Sequence, residues 1–185
     1  MEIILIRHTS VDVPYGVCYG QSDVPLRDSF EEEAEQVMNR LAERLPDGIR
    51  PDTVFTSPLS RCTRLAERCG YPQARRDDRL KEIDFGAWEM VPFSQNTDPR
   101  LQEWYDDYLH VAATDGESFD DFYLRVNAFF DELLQAPYRR ALIFAHGGVL
   151  MCAQIKAGIY TMEEAFQGLE GYGAVISVEI APDKA

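Results

Sequence analysis

Four short apolar runs limit what this chain can fold into. Residues 2–7 (EIILIR), 52–56 (DTVFT), 141–145 (ALIFA) and 174–180 (AVISVEI) are brief and rich in β-branched residues, so they read as buried strands. Helix-period stretches lie between them. Residues 29–45 place Phe30, Ala34, Val37, Met38, Leu41 and Leu45 on one face, behind a capping-box spacing of Ser29 and Glu32. Residues 58–69 read as a helix with Pro58 in its first turn, and 99–110 as another. Residues 118–135 form a fourth, with Ser118 at the cap and Asp121 three positions on. A last helix runs from His146-Gly147-Gly148 to about Ala157, and 71–97, with Gly86, Pro92 and Asn96, reads as irregular. Strand and helix alternating in this way predict a three-layer α/β sandwich, a mostly parallel central sheet with helices on both faces. No repeat or linker divides the chain, so residues 1–185 are expected to form one domain.

Charge and cysteine usage narrow the function. The formal net charge of −14 repels nucleic acid and anionic membranes, so neither is an expected partner. It disfavours an anionic ligand too, unless a few arginines hold that ligand closely. No apolar run approaches the roughly 18 residues of a membrane span. The opening Met1–His8 carries Glu2 and only four apolar residues before Arg7, which does not read as a signal peptide. Cys18, Cys62, Cys69 and Cys152 show no C-x-x-C pair and read as small hydrophobes in a reducing compartment. The expected location is the cytoplasm. Nothing in the sequence sets the oligomeric state.

Ligands of open α/β sheets sit beyond the carboxyl ends of the strands. Arg7-His8 and His146 both stand there, far apart in sequence and expected to meet in space. Taken singly, each chemical residue also has an ordinary structural reading. His8 fits a packed sheet edge, Arg61 a helix-surface charge, Glu82 a solvated acid and His146 a hydrogen-bonded core histidine. His110 has no motif around it and reads as surface. Trp104, Tyr105, Tyr108 and Phe119, at helical spacings, read as core. Histidines at 8, 110 and 146 lack metal-ligand spacing, so no metal is expected.

Five segments change the balance by occurring together. They are Arg7-His8, Ser57-Pro58-Leu59-Ser60-Arg61, the run Leu80 to Glu89 (LKEIDFGAWE), Asp115-Gly116-Glu117-Ser118, and His146-Gly147-Gly148. In this order they resemble the histidine phosphatase (phosphoglycerate-mutase-like) superfamily, from Leu5 to about Val149. Within it, Tyr19–Leu26 and Asp115–Phe119 look most like α-ribazole phosphatases. One departure stands out: the family usually has Gly after the first His and an Asn a few positions on, where this chain runs Thr9-Ser10-Val11-Asp12-Val13-Pro14.

The resemblance implies a phosphomonoester hydrolase that needs no cofactor and acts on a small phosphorylated metabolite, α-ribazole 5′-phosphate in cobalamin assembly. It implies His8 as nucleophile, Arg7, Arg61 and His146 as hydrogen-bond donors to the phosphoryl oxygens, and Glu82 as proton donor to the leaving oxygen. Substrate contacts are further implied at Gln21, Ser22 and Gly147. The chemistry is consistent, since a neutral imidazole attacks phosphorus and guanidinium groups stabilise the charge on the phosphoryl oxygens. Two other classes use the same residues: a cofactor-dependent phosphoglycerate mutase, or a broad-specificity phosphatase, and a non-catalytic phospho-ligand binder.

Overall fold

The computed structural model describes residues 1–46 and 49–181. Strand β1 (Glu2–Arg7) leads through a loop to helix α1 (Phe30–Arg44), strand β2 (Thr53–Thr56) and helix α2 (Ser60–Arg68). A two-residue strand β3 (Arg75–Arg76) precedes helix α3 (Arg100–Asp106). Then come helix α4 (Phe119–Gln135), strand β4 (Arg140–Ala145), helix α5 (Gly147–Lys156) and strand β5 (Val175–Glu179). The sheet order is β3-β2-β4-β1-β5. All neighbours are parallel except β1 and β5, which run antiparallel.

Alternation along the two central strands builds the layers. Ile3 and Leu5 of β1, with Ala141, Ile143 and Ala145 of β4, face α4 and α5 and meet Phe122, Val126, Val149 and Leu150. Ile4, Ile6, Leu142 and Phe144 point the other way, against Phe30, Ala34, Val37 and Leu41 of α1 and Leu65 of α2. Both faces of β1 and β4 are therefore buried, as their unbroken apolar runs require. The expected three-layer sandwich is the observed one. Each fully buried Ile or Leu contributes about 1.5–3 kcal/mol through burial.

Helix ends differ from the sequence reading in instructive ways. Ser118 and Asp121 form the expected capping box on α4. Ser29 and Glu32 do not. Ser29 Oγ instead donates to Glu33 Oε1 (2.7 Å), and Glu33 also accepts the backbone N–H and the hydroxyl of Ser10. Helix α1 thus gives up a local cap and ties down the loop after β1. Helix α2 begins at Ser60, two residues beyond Pro58, and its first N–H is capped from outside by Asp23 Oδ1 at 2.9 Å. Helix α3 stops at Asp106, short of residue 110, because the Asp107 carboxylate accepts from the backbone N–H (3.4 Å) and ring Nδ1 (2.7 Å) of His110. Strand β3 has exposed arginines at an edge and carries no apolar signal.

Candidate active site

Three neighbouring parallel strands end at Arg7, Thr56 and Ala145, and the next residues are His8, Ser57 and His146. Register alone therefore gathers three polar side chains at one rim, all of them buried. The His8 backbone N–H donates to the Ala145 carbonyl (3.0 Å), which locks the two strand ends together. His8 Nδ1 lies 2.7 Å from the Thr9 carbonyl oxygen. A carbonyl only accepts, so Nδ1 carries the proton and Nε2 keeps its lone pair. Burial, the Arg61 charge and, more weakly, Arg7 hold the His8 pKa well below 6.5, although the Thr9 bond opposes them. His8 is a neutral imidazole with one nitrogen available as a nucleophile.

Arg61, fully buried in the first turn of α2, is aimed by three acceptors. Its Nε donates to His146 Nδ1 (3.3 Å), and its terminal nitrogens donate to the carbonyls of Ser22 (2.9 Å) and Gly20 (2.5 Å). Because His146 Nδ1 accepts, Nε2 carries the hydrogen and donates to Ser57 Oγ at 2.8 Å. Burial first, then Arg61 and His8, keep the His146 pKa well below 6.5. The Cys62 thiol beneath donates to the Ala145 carbonyl (3.3 Å), and burial pushes its pKa up to about 12. All four cysteines are free thiols, three of them buried.

Arg7 is held differently. Its guanidinium lies 4.3 Å from the centre of the Tyr172 ring, a terminal nitrogen donates to the Glu170 carbonyl, and Nε is buried without a protein partner. Tyr172 and Tyr19 share a hydrogen bond between hydroxyls (2.6 Å), and Arg61 lies 5.6 Å from the Tyr19 ring. Two tyrosines from distant loops thus join above the two arginines.

Glu82 reaches the rim from the loop after β3. Its Oε1 accepts from the Ile83 N–H and its Oε2 from the Gly148 N–H, both at 3.1 Å. Glycine is required at 148 because a Cβ would collide with Glu82 Oε1 and the Phe122 ring. Arg7, His8, Arg61 and Glu82 all line one cavity of about 320 Å³. Its far wall is aromatic and aliphatic, built from Phe93, Trp104, Tyr108, Phe119, Phe166 and Leu169.

The structure gathers Arg7, His8, Arg61 and Glu82 in one cavity lining. It sets His146 beside His8 but behind that lining, with both ring nitrogens engaged by Arg61 and Ser57 rather than free to donate to a phosphoryl oxygen. It places the other three expected contacts elsewhere. Gln21 and Ser22 do not line the cavity; their N–H groups donate to Glu89 at 2.9 and 3.1 Å. Gly147 lies behind the site, where a Cβ would press on the Arg7 guanidinium and Leu169. Phe119 is buried in the core and Tyr108 and Trp104 pack against core clusters, as their spacing suggests, while all three also present a face to the cavity. Tyr105 is exposed. His110 is on the surface, against Asp107. Sequence reasoning passed over Ser57 and Glu89, although both stand inside quoted motifs, and gave no role to Tyr19 or Tyr172. Thr9 causes no strain: among the described residues, positive φ outside glycine occurs only at Met90 and Asp115.

Among the described residues, no group of three or more His, Cys, Asp or Glu side chains is arranged to hold a metal ion. No helix there is long and apolar enough to cross a membrane.

A parallel-rich α/β sandwich with this rim is a phosphoglycerate-mutase-like fold. The chain belongs to the histidine phosphatase superfamily (branch 1), whose model matches residues 3–185. It is 30% identical to the adenosylcobalamin/α-ribazole phosphatase of Escherichia coli over 159 residues, 81% of this chain and 75% of that one. It is 29% identical to a probable phosphoglycerate mutase of Serratia proteamaculans over 162 residues, 82% and 72% of the two chains. The crystal structure of the α-ribazole phosphatase from Shigella flexneri superposes with a TM-score of 0.84 at 26% identity, over 97% of this chain and 91% of that one.

Proposed function

We propose that this protein is a phosphomonoester hydrolase working through a phosphohistidine on His8, with α-ribazole 5′-phosphate as its substrate. The observation that carries the reading is the His8 tautomer: Nδ1–H is fixed on the Thr9 carbonyl, which leaves the Nε2 lone pair free on a ring that lines the same cavity as Arg7 and Arg61. In the first step the Nε2 lone pair attacks phosphorus, the bond from phosphorus to the ester oxygen breaks, and Glu82 passes a proton to the departing alcohol. In the second, water attacks phosphorus, the P–N bond breaks, and the Glu82 carboxylate takes the proton from water. Free N–H groups of Arg7 and Arg61 neutralise the phosphoryl oxygens throughout, which a distant field of −14 would otherwise oppose.

The cavity wall supports the substrate class. Among the described residues, Arg7 and Arg61 are the Lys or Arg side chains of its lining and Glu82 is its one acid. A mutase must grip a second anionic group on its substrate, and nothing in this lining supplies that grip. An apolar wall instead suits an aromatic base on the leaving alcohol. The test is a panel of α-ribazole 5′-phosphate, 3-phosphoglycerate and simple sugar phosphates, with and without EDTA. The expected result is the highest kcat/KM for the first, unaffected by EDTA. Dominant mutation of 3-phosphoglycerate, or equal cleavage of all substrates, refutes the substrate assignment.

A further inference from the structure

Glu89 stands outside the cavity, yet its carboxylate is the most heavily hydrogen-bonded acid near the site. Oε2 accepts from the N–H groups of Gly20 (2.9 Å) and Ser22 (3.1 Å), and Oε1 from those of Gln21 (2.9 Å) and Phe85 (3.2 Å). The Ser22 hydroxyl bonds it too. Three consecutive backbone N–H groups converging on one point form an anion-binding nest. Here the protein fills the nest with its own carboxylate.

The opposite side of the same short loop faces Arg61. The carbonyls of Gly20 and Ser22 accept from the two terminal nitrogens of Arg61, whose Nε is already spent on His146. Each terminal nitrogen carries two hydrogens, so one on each is left over for a phosphoryl oxygen. Where those hydrogens point depends on where the two carbonyls stand. The loop has little freedom of its own to correct an error: Gly20 is pressed so close to the Ile83 carbonyl that a Cβ would collide with it. The path runs from Glu89 through the peptide units at 20–22 to the guanidinium. In the Gly20–Gln21 peptide unit the carbonyl accepts from Arg61 and the N–H donates to Glu89, so the two bonds polarise that unit in the same sense. The Ser22 carbonyl is placed by the Ser22 N–H on its other side.

We infer that Glu89 is a positioning residue for phosphoryl transfer: by holding the Gly20–Ser22 amides it fixes the two carbonyls that aim Arg61. This rests on the phosphoryl-site reading proposed above. Its effect belongs to the phosphoryl group and reaches it only through Arg61.

A double-mutant cycle reads that dependence. Glu89→Gln keeps the shape but removes the charge and turns one acceptor into a donor facing an amide N–H. In the wild-type background it is expected to weaken inhibition by inorganic phosphate about 10-fold and to lower kcat/KM about 10- to 100-fold, the scale of one misdirected charge-assisted hydrogen bond. Arg61→Lys cannot reach both carbonyls and His146 at once, so in that background the same change is expected to cost less than about 2-fold. If Glu89→Gln does not give a cooperative melt, Glu89→Asp carries the same cycle. Equal losses in both backgrounds, or unchanged phosphate inhibition, overturn the role of Glu89 while a wild-type phosphoenzyme leaves the site reading standing. A wild type with neither phosphate inhibition nor phosphoenzyme overturns both.

Discussion

The imidazole rings of His8 and His146 lie 5.2 Å apart, edge toward face at 65°, although they come from opposite ends of the chain. One is held by a main-chain carbonyl and the other by Arg61 and Ser57. Two rings this close, both buried and both beside Arg61, cannot both be cationic without unpaired charge. The pair therefore divides the work. His8 offers a lone pair, and His146 fixes the guanidinium.

Replacement of His8 by alanine is expected to abolish turnover while leaving a cooperatively folded protein, because the strand register around it rests on backbone hydrogen bonds. Acid-labile, base-stable phosphoenzyme should be trapped by quenching the wild type during turnover and be absent from the variant. A variant that still turns over removes His8 from the mechanism.

The legible part of this molecule was the part built by periodicity. Unbroken apolar runs at 2–7 and 141–145 announced strands covered on both faces, and the residue after each one marked the rim. The family motifs then named Arg61 and Glu82. Side-chain direction was not legible. Glu89 sits in a quoted motif, but its meaning depends on a loop nearly seventy positions away in the chain folding over it. Trp104 and Tyr108 have the same helical spacing whether they pack into a core or line a cavity. The Ser29 cap failed for a similar reason: Glu33 and Ser10 make a tertiary bond that local spacing does not contain.

The pH dependence follows from the two buried histidines. Their folded pKa values lie well below 6.5, so the unfolded chain binds protons at these positions from about pH 6.5 downward while the native state does not. Stability is therefore full above pH 6.5 and falls as the pH drops below it. His110, exposed and raised by Asp107, acts in the opposite sense and more weakly. Urea unfolding at pH 7.5 and 5.5 should show a lower midpoint at 5.5. On the same grounds kcat/KM, corrected for the substrate's own ionisation near pH 6, should show no acid limb at 6.5. A limb there, removed by no change in substrate, contradicts a neutral His8.

Glu82→Gln tests the proton donor. The amide oxygen can still accept from the Gly148 N–H that ties the loop to α5, at the cost of the bond from the adjacent Ile83 N–H, but the amide cannot act as a general acid. General acid catalysis is worth on the order of 10²–10⁴-fold, and alkyl phosphates with poor leaving groups should lose about that much. Aryl phosphates with acidic leaving groups should lose far less. Equal losses across both sets, measured as kcat/KM, would assign Glu82 a role in binding rather than proton transfer.

The aromatic wall decides whether the leaving group's ring is recognised. Trp104 is the hub of that wall: Phe93 stacks on it at 6.1 Å and 20°, and Trp88 and Phe85 meet it edge-on at 5.8 and 6.2 Å. Trp88 is anchored independently by its indole N–H on Asp98 (2.7 Å), so losing Trp104 leaves the neighbouring loop one fixed point. Trp104→Leu keeps an apolar side chain and removes the ring face. If a base on the leaving alcohol lies against it, KM for α-ribazole 5′-phosphate should rise by roughly 10-fold, matching the 0.5–1.5 kcal/mol of an aromatic pair plus lost apolar contact. Inhibition by inorganic phosphate, which touches only the arginine end, should change by less than about 2-fold. A parallel loss in both would mean that Trp104 acts by packing the loop. An unchanged KM for the ribazole phosphate would mean that the ring of the substrate lies elsewhere.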